Sequence, residues 1–399
     1  QAEQTPVTGE VELTPVQHWF FGHQSPQQTH WNQSIMLAGE GTLDGDALQQ
    51  SFNTILEKHD VLRHQFDPHS GAQQSRHPDE VKLDIRWLAL TGNDSIATAI
   101  ELQVQQSQRR LNLSQGPVFE VTVMHWDNEW RLLMVAHHLV IDGVSWRILL
   151  DDLQLGYQQL SHAQALKLPA KTTSYQYWAK RLKSYTQEGG FDEQIAYWQA
   201  LNQASMFTLE SQSDVENIEK DTRVIQFSLG QQETQQMLKE VPRAYNTNVQ
   251  ECLLTALAGA LLVWKNQSQG QLLIDLEGHG REELFDEVDL SGTLGWFTTI
   301  YPFSIALNRE APVGESLVSV KEALRKVPQN GIGYGALKYV GTEAQSAAMQ
   351  SLPQAQISFN YLGQLDTVLN RSGQFEAATE STGDSRALSS NRPYLLDIS

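Results

Sequence analysis

Two short segments of this chain carry residues suited to moving a proton. In the first, Ala136-His137-His138-Leu139-Val140-Ile141-Asp142-Gly143-Val144-Ser145-Trp146, paired histidines stand just ahead of an acid and a glycine. Imidazole titrates at about pH 6.5 when unperturbed, so either histidine suits general base catalysis at neutral pH. A hydrogen-bonded core histidine is the alternative. In the second, Glu277-Gly278-His279-Gly280-Arg281-Glu282, a glutamate ends an apolar run and glycines let the backbone turn sharply after it. A partly desolvated carboxylate there exchanges protons near neutral pH, while a solvated acid paired with Arg281 fits the spacing equally well.

Strands must present both groups. Ahead of the histidines, Leu132, Met134 and Ala136 share one parity and Leu133 and Val135 the other, the pattern of a central strand apolar on both faces. Adjacent histidines then point to opposite sides, one to a cleft and one into the core, and periodicity does not choose between them. So placed they cannot ligate one ion from an extended strand, and neither thiolate pairs nor an HExxH helix accompany them, so no metal site is expected. Val118 to Trp126 and Trp130 to His138 read as a hairpin joined by Asp127-Asn128-Glu129. A helix follows on the stripe Trp146, Leu149, Leu150, Leu153, Tyr157, and an earlier one carries Leu48, Phe52, Ile55 and Leu56 behind Asp44 and Asp46.

Beyond Asp221 the same element types return. Strands are expected at Val224 to Leu229, Gln271 to Glu277 and Phe297 to Leu307, with a helix from Thr247 to Lys265 capped by Asn248 and Glu251. Proline and lost periodicity at Leu166 to Thr173, followed by polar tracts at Ser184 to Glu193 and Ser211 to Lys220, put a boundary between lobes of residues 1–173 and 174–399.

The 399 residues include 28 Lys+Arg against 47 Asp+Glu, and a net charge of −19 argues against nucleic-acid or anionic-membrane partners. The longest apolar run, Cys252 to Trp264, falls short of the roughly 18 residues of a spanning helix and reads as a buried core helix. The first residues, Gln1 to Pro6, hold neither a basic nor an apolar stretch, so no secretory signal is expected. A lone Cys252 leaves no internal disulfide to form. A soluble, cytoplasmic protein is the expectation.

The segment His137 to Gly143 resembles the HHxxxDG motif of the condensation-domain superfamily of nonribosomal peptide synthetases, and with Ser145-Trp146 it resembles the HHxxxDGxSW form of their epimerization domains. Glu277 to Glu282 is similar to the EGHGRE signature of the same domains. Four further segments match in order: Pro15 to Phe20 (PxQxWF), Gly295 to Pro302 (GWFTxxYP), Gly331 to Gly335 (GxGYG) and Phe359 to Gln364 (FNYLGQ).

The resemblance implies an α/β (α+β) fold of two chloramphenicol acetyltransferase-like lobes forming a V-shaped pseudo-dimer with a central channel, the second lobe running on past Ser399. It implies epimerization, L to D, of an aminoacyl or peptidyl thioester on the 4′-phosphopantetheine arm of a peptidyl carrier domain. No cofactor of its own is implied; the partners are an upstream carrier domain and a downstream condensation domain or synthetase. His138 and Glu277 take the catalytic positions, one from each lobe. His137, Asn360, Tyr361 and Arg281 fall at supporting or substrate-lining positions, although Tyr361 is equally readable as a core aromatic and Arg281 as half of an ion pair. Asp142, Gly143 and Trp146 read as structural, as do Trp19 and Trp296, and Arg63, in Lys58-His59-Asp60-Val61-Leu62-Arg63, is the expected partner of Asp142. The rival functions are a condensation domain joining two carrier-bound substrates, an inactive relative that only docks carriers, and a free-standing acyltransferase.

Overall fold

A computed structural model describes residues 2–23, 30–91, 95–203, 208–209, 216–363 and 375–399. Its strands are β1 (Gly9–Val11), β2 (Asn32–Glu40), β3 (His64–Phe66), β4 (Gln73–Ser75), β5 (Arg86–Ala89), β6 (Phe119–Trp126), β7 (Glu129–His137), β8 (Gln269–Gly278), β9 (Thr299–Asn308), β10 (Ile357–Phe359), β11 (Glu376–Ala377) and β12 (Leu396–Ile398). The chain forms two compact units. One comprises Gln1–Ser184, Glu283–Thr298 and Leu362–Ser390; the other comprises Tyr185–Glu282, Thr299–Tyr361 and Asn391–Ser399. The units thus interleave along the chain, and a single cut between 173 and 174 does not delimit them.

In the first unit a five-stranded sheet runs β11-β2-β7-β6-β5, with β7 antiparallel to both neighbours. Leu132 to Ala136 are wholly buried, as the two-faced apolar pattern requires of a central strand. β6 and β7 are joined through the two-residue turn Asp127-Asn128, Asp127 adopting the left-handed conformation with φ of 44°. The apolar stripes form helices at Gly45–Lys58 and Gly143–Ser161. Asp44 caps the former by accepting from Ala47 N at 3.0 Å, and its own N–H donates to Tyr157 Oη on the latter at 2.9 Å.

In the second unit the order is β12-β10-β8-β9, with β8 antiparallel to β9 and parallel to β10. Ile274 and Leu276 are fully buried, which turns the opposite parity, Asp275 and Glu277, to the other face of β8. The helix Val249–Trp264 is capped as expected, Asn248 accepting from Glu251 N at 2.9 Å and donating its own N–H to Glu251 at 2.8 Å. It is a core helix on one face only, since Val263 and Trp264 are 59% and 64% exposed. A second expectation fails outright. Val224 to Leu229 forms no strand, and Phe227 is 88% exposed. β-propensity is expressed only where a neighbouring strand supplies the ladder, and none among the described residues does. The glycine of GxGYG that opens the helix Ile332–Tyr339, Gly331, has φ of +83°, and a Cβ there would sit 2.1 Å from the Tyr301 ring, so the motif secures close packing.

Candidate active site

Strand β7 ends at His137, and a short 3-10 turn begins at His138, so the two imidazoles meet different surroundings. His137 is wholly buried, its Nδ1 accepting from Leu139 N at 3.1 Å and its ring edge-on to Phe20. His138 is half-buried. Its backbone N–H donates to Trp31 O at 2.8 Å, Nδ1 lies 2.8 Å from Ile141 O, and Nε2 lies 3.1 Å from Gln33 Nε2. The ring stacks on Trp296, centroids 4.0 Å apart. Burial pushes its pKa down to about 4, with Asp142 opposing and Arg386 reinforcing that fall, so the ring is neutral at pH 7 and does not titrate near 6.5.

Asp142 is held between two backbone donors rather than by Arg63. Its carboxylate accepts from Ser145 N at 2.8 Å, capping the helix that Gly143 opens, and from Phe297 N at 3.1 Å. Ser145 Oγ donates to Gly295 O at 2.9 Å and accepts from Gly295 N at 3.0 Å. A Cβ at Gly295 would stand 2.3 Å from the Tyr175 ring, and Tyr175 Oη donates to Trp296 O at 2.9 Å. The HHxxxDGxSW and GWFT segments are thereby clamped together, which places the indole of Trp296 on His138. Arg63 does not reach Asp142. Its guanidinium pairs with Asp60 at 2.6 Å and donates to the carbonyls of Leu56, Glu57 and Arg76, because the tight turn Asp60–Arg63 folds the side chain back on its own segment.

In the second unit Glu277 stands near the end of β8, half-buried, and its Oε2 accepts from Asn360 Nδ2 at 2.7 Å. Asn360 follows β10, the parallel neighbour of β8, so the sheet itself brings the two side chains together. Arg281 lies on the turn beyond, its N–H donating to His279 Nδ1 at 3.0 Å. Tyr361 is 37% exposed and so is not a core aromatic, and Gln364, the end of that motif, lies outside the described residues. Two residues before Glu277 on the same face, Asp275 accepts from Tyr394 Oη at 2.8 Å. Desolvation raises its pKa to about 6, opposed by that hydrogen bond and by Lys338. Burial, the Asp275 charge and, more weakly, Glu277 hold the Tyr394 phenol well above its usual value.

Gln33, Asp275 and Tyr394 are the neighbours that sequence reasoning missed. Only Asp275 had a signal, an acid two positions from Glu277 in an otherwise apolar strand. Trp146 and Trp296 are buried, as packing residues should be, but Trp146 Nε1 also donates to Gln33 Oε1 at 3.0 Å. A neutral imidazole and an amide-held carboxylate are both competent to accept a proton from carbon.

Known proteins are similar to this chain over most or all of its length. It is 38% identical over 372 residues to gramicidin S synthase 1 of Brevibacillus brevis, covering 92% of this chain and 34% of that protein. It is 35% identical over 398 residues to bacitracin synthase 3 of Bacillus licheniformis, covering 99% and 6%. The chain therefore spans a minor part of these relatives' length. Among solved structures, the epimerization domain from the third module of tyrocidine synthetase B superposes with a TM-score of 0.91 at 34% identity, covering 99% of this chain and 89% of that one. The condensation domain of the Monacolin K polyketide synthase MokA superposes at 0.72 with 18% identity over 98% and 88% of the two chains, a likeness of fold alone. The condensation-domain model matches residues 7–399, essentially the whole span in which the motifs fall, and this chain belongs to that family.

Proposed function

We propose that this domain epimerizes the α-carbon of an aminoacyl or peptidyl thioester presented on the phosphopantetheine arm of a carrier domain, in nonribosomal peptide synthesis. The observation that carries this reading is the 2.7 Å contact between Glu277 and Asn360, since it joins residues of the EGHGRE and FNYLGQ signatures at one carboxylate. The 34% identity to an epimerization domain supports the same assignment. His138 and Glu277 are the proton-carrying groups. One removes the α-proton; the C–H electron pair passes into the enolate of the thioester; the other returns a proton to the opposite face of the carbon. By microscopic reversibility the two exchange roles in the D-to-L direction. The α-proton is only weakly acidic, so the base must be unprotonated at working pH and shielded from water, as the depressed pKa and aromatic wall of His138 provide.

The test is α-proton washout into deuterated solvent from a loaded carrier, with chiral analysis of the released acyl group. Inversion on one carrier supports epimerization. A longer chain formed from two carriers instead supports amide formation. Wild-type washout in both His138→Ala and Glu277→Gln overturns the residue assignment.

A further inference from the structure

We propose that Trp146 and Gln33 form a positioning relay that holds His138 with its proton on Nδ1 and its lone pair on Nε2. This role rests on His138 being a reacting base of the proposed epimerase. The indole N–H of Trp146 only donates, and its acceptor is Gln33 Oε1 at 3.0 Å. That contact decides which end of the Gln33 amide is oxygen. The other end, an NH2 that also only donates, lies 3.1 Å from His138 Nε2. An NH2 meets a ring nitrogen favourably only where that nitrogen carries a lone pair. On the far side of the ring, Nδ1 lies 2.8 Å from Ile141 O, an acceptor, and so must carry the hydrogen.

Both contacts therefore select one neutral tautomer. A protonated ring would turn Nε2–H against the amide hydrogens, and the amide cannot flip without turning its NH2 against the indole N–H. The cost of both alternatives is an unmade or opposed buried hydrogen bond. The groups facing the ring from other elements do not provide this selection. Trp296 is uncharged, Asp142 favours the imidazolium, and Arg386 acts against it without distinguishing the two nitrogens. The relay also gives a chemical task to the tryptophan that sets HHxxxDGxSW apart from plain HHxxxDG. Gln33 comes within reach because β2 pairs with β7 in a register that sets Gln33 opposite Ala136, next to the strand end.

The test is 15N NMR of the histidine-labelled domain, together with the pH dependence of α-proton washout from a loaded carrier. The wild-type domain is expected to show His138 as a single Nδ1–H tautomer. Trp146→Phe keeps the bulk but removes the donor; the freed amide then admits the second tautomer, and the acid limb of washout rises. Gln33→Glu offers Nε2 an acceptor, which should favour imidazolium and raise the limb by about one pH unit or more. Gln33→Met, without donor or acceptor, leaves Ile141 O alone to favour Nδ1–H and should change the limb little. The relay is refuted if the single Nδ1–H tautomer and the acid limb persist unchanged in both Trp146→Phe and Gln33→Glu. It is refuted equally if the wild-type ring is Nε2–H. His138→Ala retaining washout would instead refute the base assignment, and the tautomer measurement stands apart from it.

Discussion

The imidazole of His138 lies on the indole of Trp296, ring centroids 4.0 Å apart and planes 25° from parallel. Trp19 and Phe20 meet the same indole edge-on, at 6.4 and 6.2 Å, so the stacked pair is itself walled by aromatic edges. Burial is the leading cause of the low His138 pKa, and Trp296 provides one face of it.

Trp296→Ala should accordingly move the His138 pKa from about 4 back toward its ordinary value. In the wild-type domain the depressed pKa contributes stability that is complete above about pH 6.5 and is lost as pH falls toward 4. The variant should lose that slope and, in addition, about 3–5 kcal/mol from the vacated core. Urea midpoints measured from pH 4 to 7.5 read both effects. A variant with the wild-type slope would show that the stack does not set the ring's protonation.

Asp142→Ala should destabilise without acting on the chemistry directly. It removes a helix cap worth about 1 kcal/mol and takes away the carboxylate that the buried Phe297 N–H donates to, at about 1–3 kcal/mol more. Asp142→Asn retains one acceptor oxygen, so its loss should fall between wild type and alanine. Denaturant unfolding gives the ordering; asparagine losing as much as alanine would show that the charge rather than the two hydrogen bonds matters.

Arg63 and Asp142 should behave as independent sites. Arg63→Ala strands Asp60 with Lys171, whose Nζ lies 2.9 Å from Asp60 Oδ2, and should cost about 3–5 kcal/mol through a broken buried pair. The double variant's loss should equal the sum of the singles within about 0.5 kcal/mol. A coupling energy above about 1 kcal/mol would restore the pairing expected from sequence.

That misjudged pair shows where the sequence was legible and where it was not. Period-two and period-3.6 patterns identified β7, β8 and the helices with their caps, because each is determined by neighbours a few residues away. The clamp of Ser145 on Gly295 spans 150 residues, and the partners of Arg63 depend on a tight turn no periodicity marks. Gln33 sits at a half-buried strand position where any polar residue is unremarkable, and its task exists only through the register of β2 on β7. Val224 to Leu229 failed for the complementary reason, a local pattern without the partner strand that would make it a strand.

Asp275 and Tyr394 should impose a pH dependence of their own beside Glu277. A carboxyl whose folded pKa is raised binds its proton more tightly than the unfolded chain does. Its stabilising share is thus complete below about pH 3.8 and erodes as pH rises to about 6. Tyr394→Phe removes the hydrogen bond that restrains the shift, so the folded pKa should rise further and the erosion should continue above pH 6. Asp275→Asn should abolish the erosion while leaving Tyr394 an acceptor. Because Asp275 and Glu277 share a face two residues apart, a second negative charge there opposes ionisation of the first, and washout should gain a pH dependence in Tyr394→Phe that Asp275→Asn lacks. Urea midpoints and washout rates between pH 4 and 8 read the two effects separately, and parallel profiles for wild type and both variants would show that Asp275 stays in one protonation state throughout.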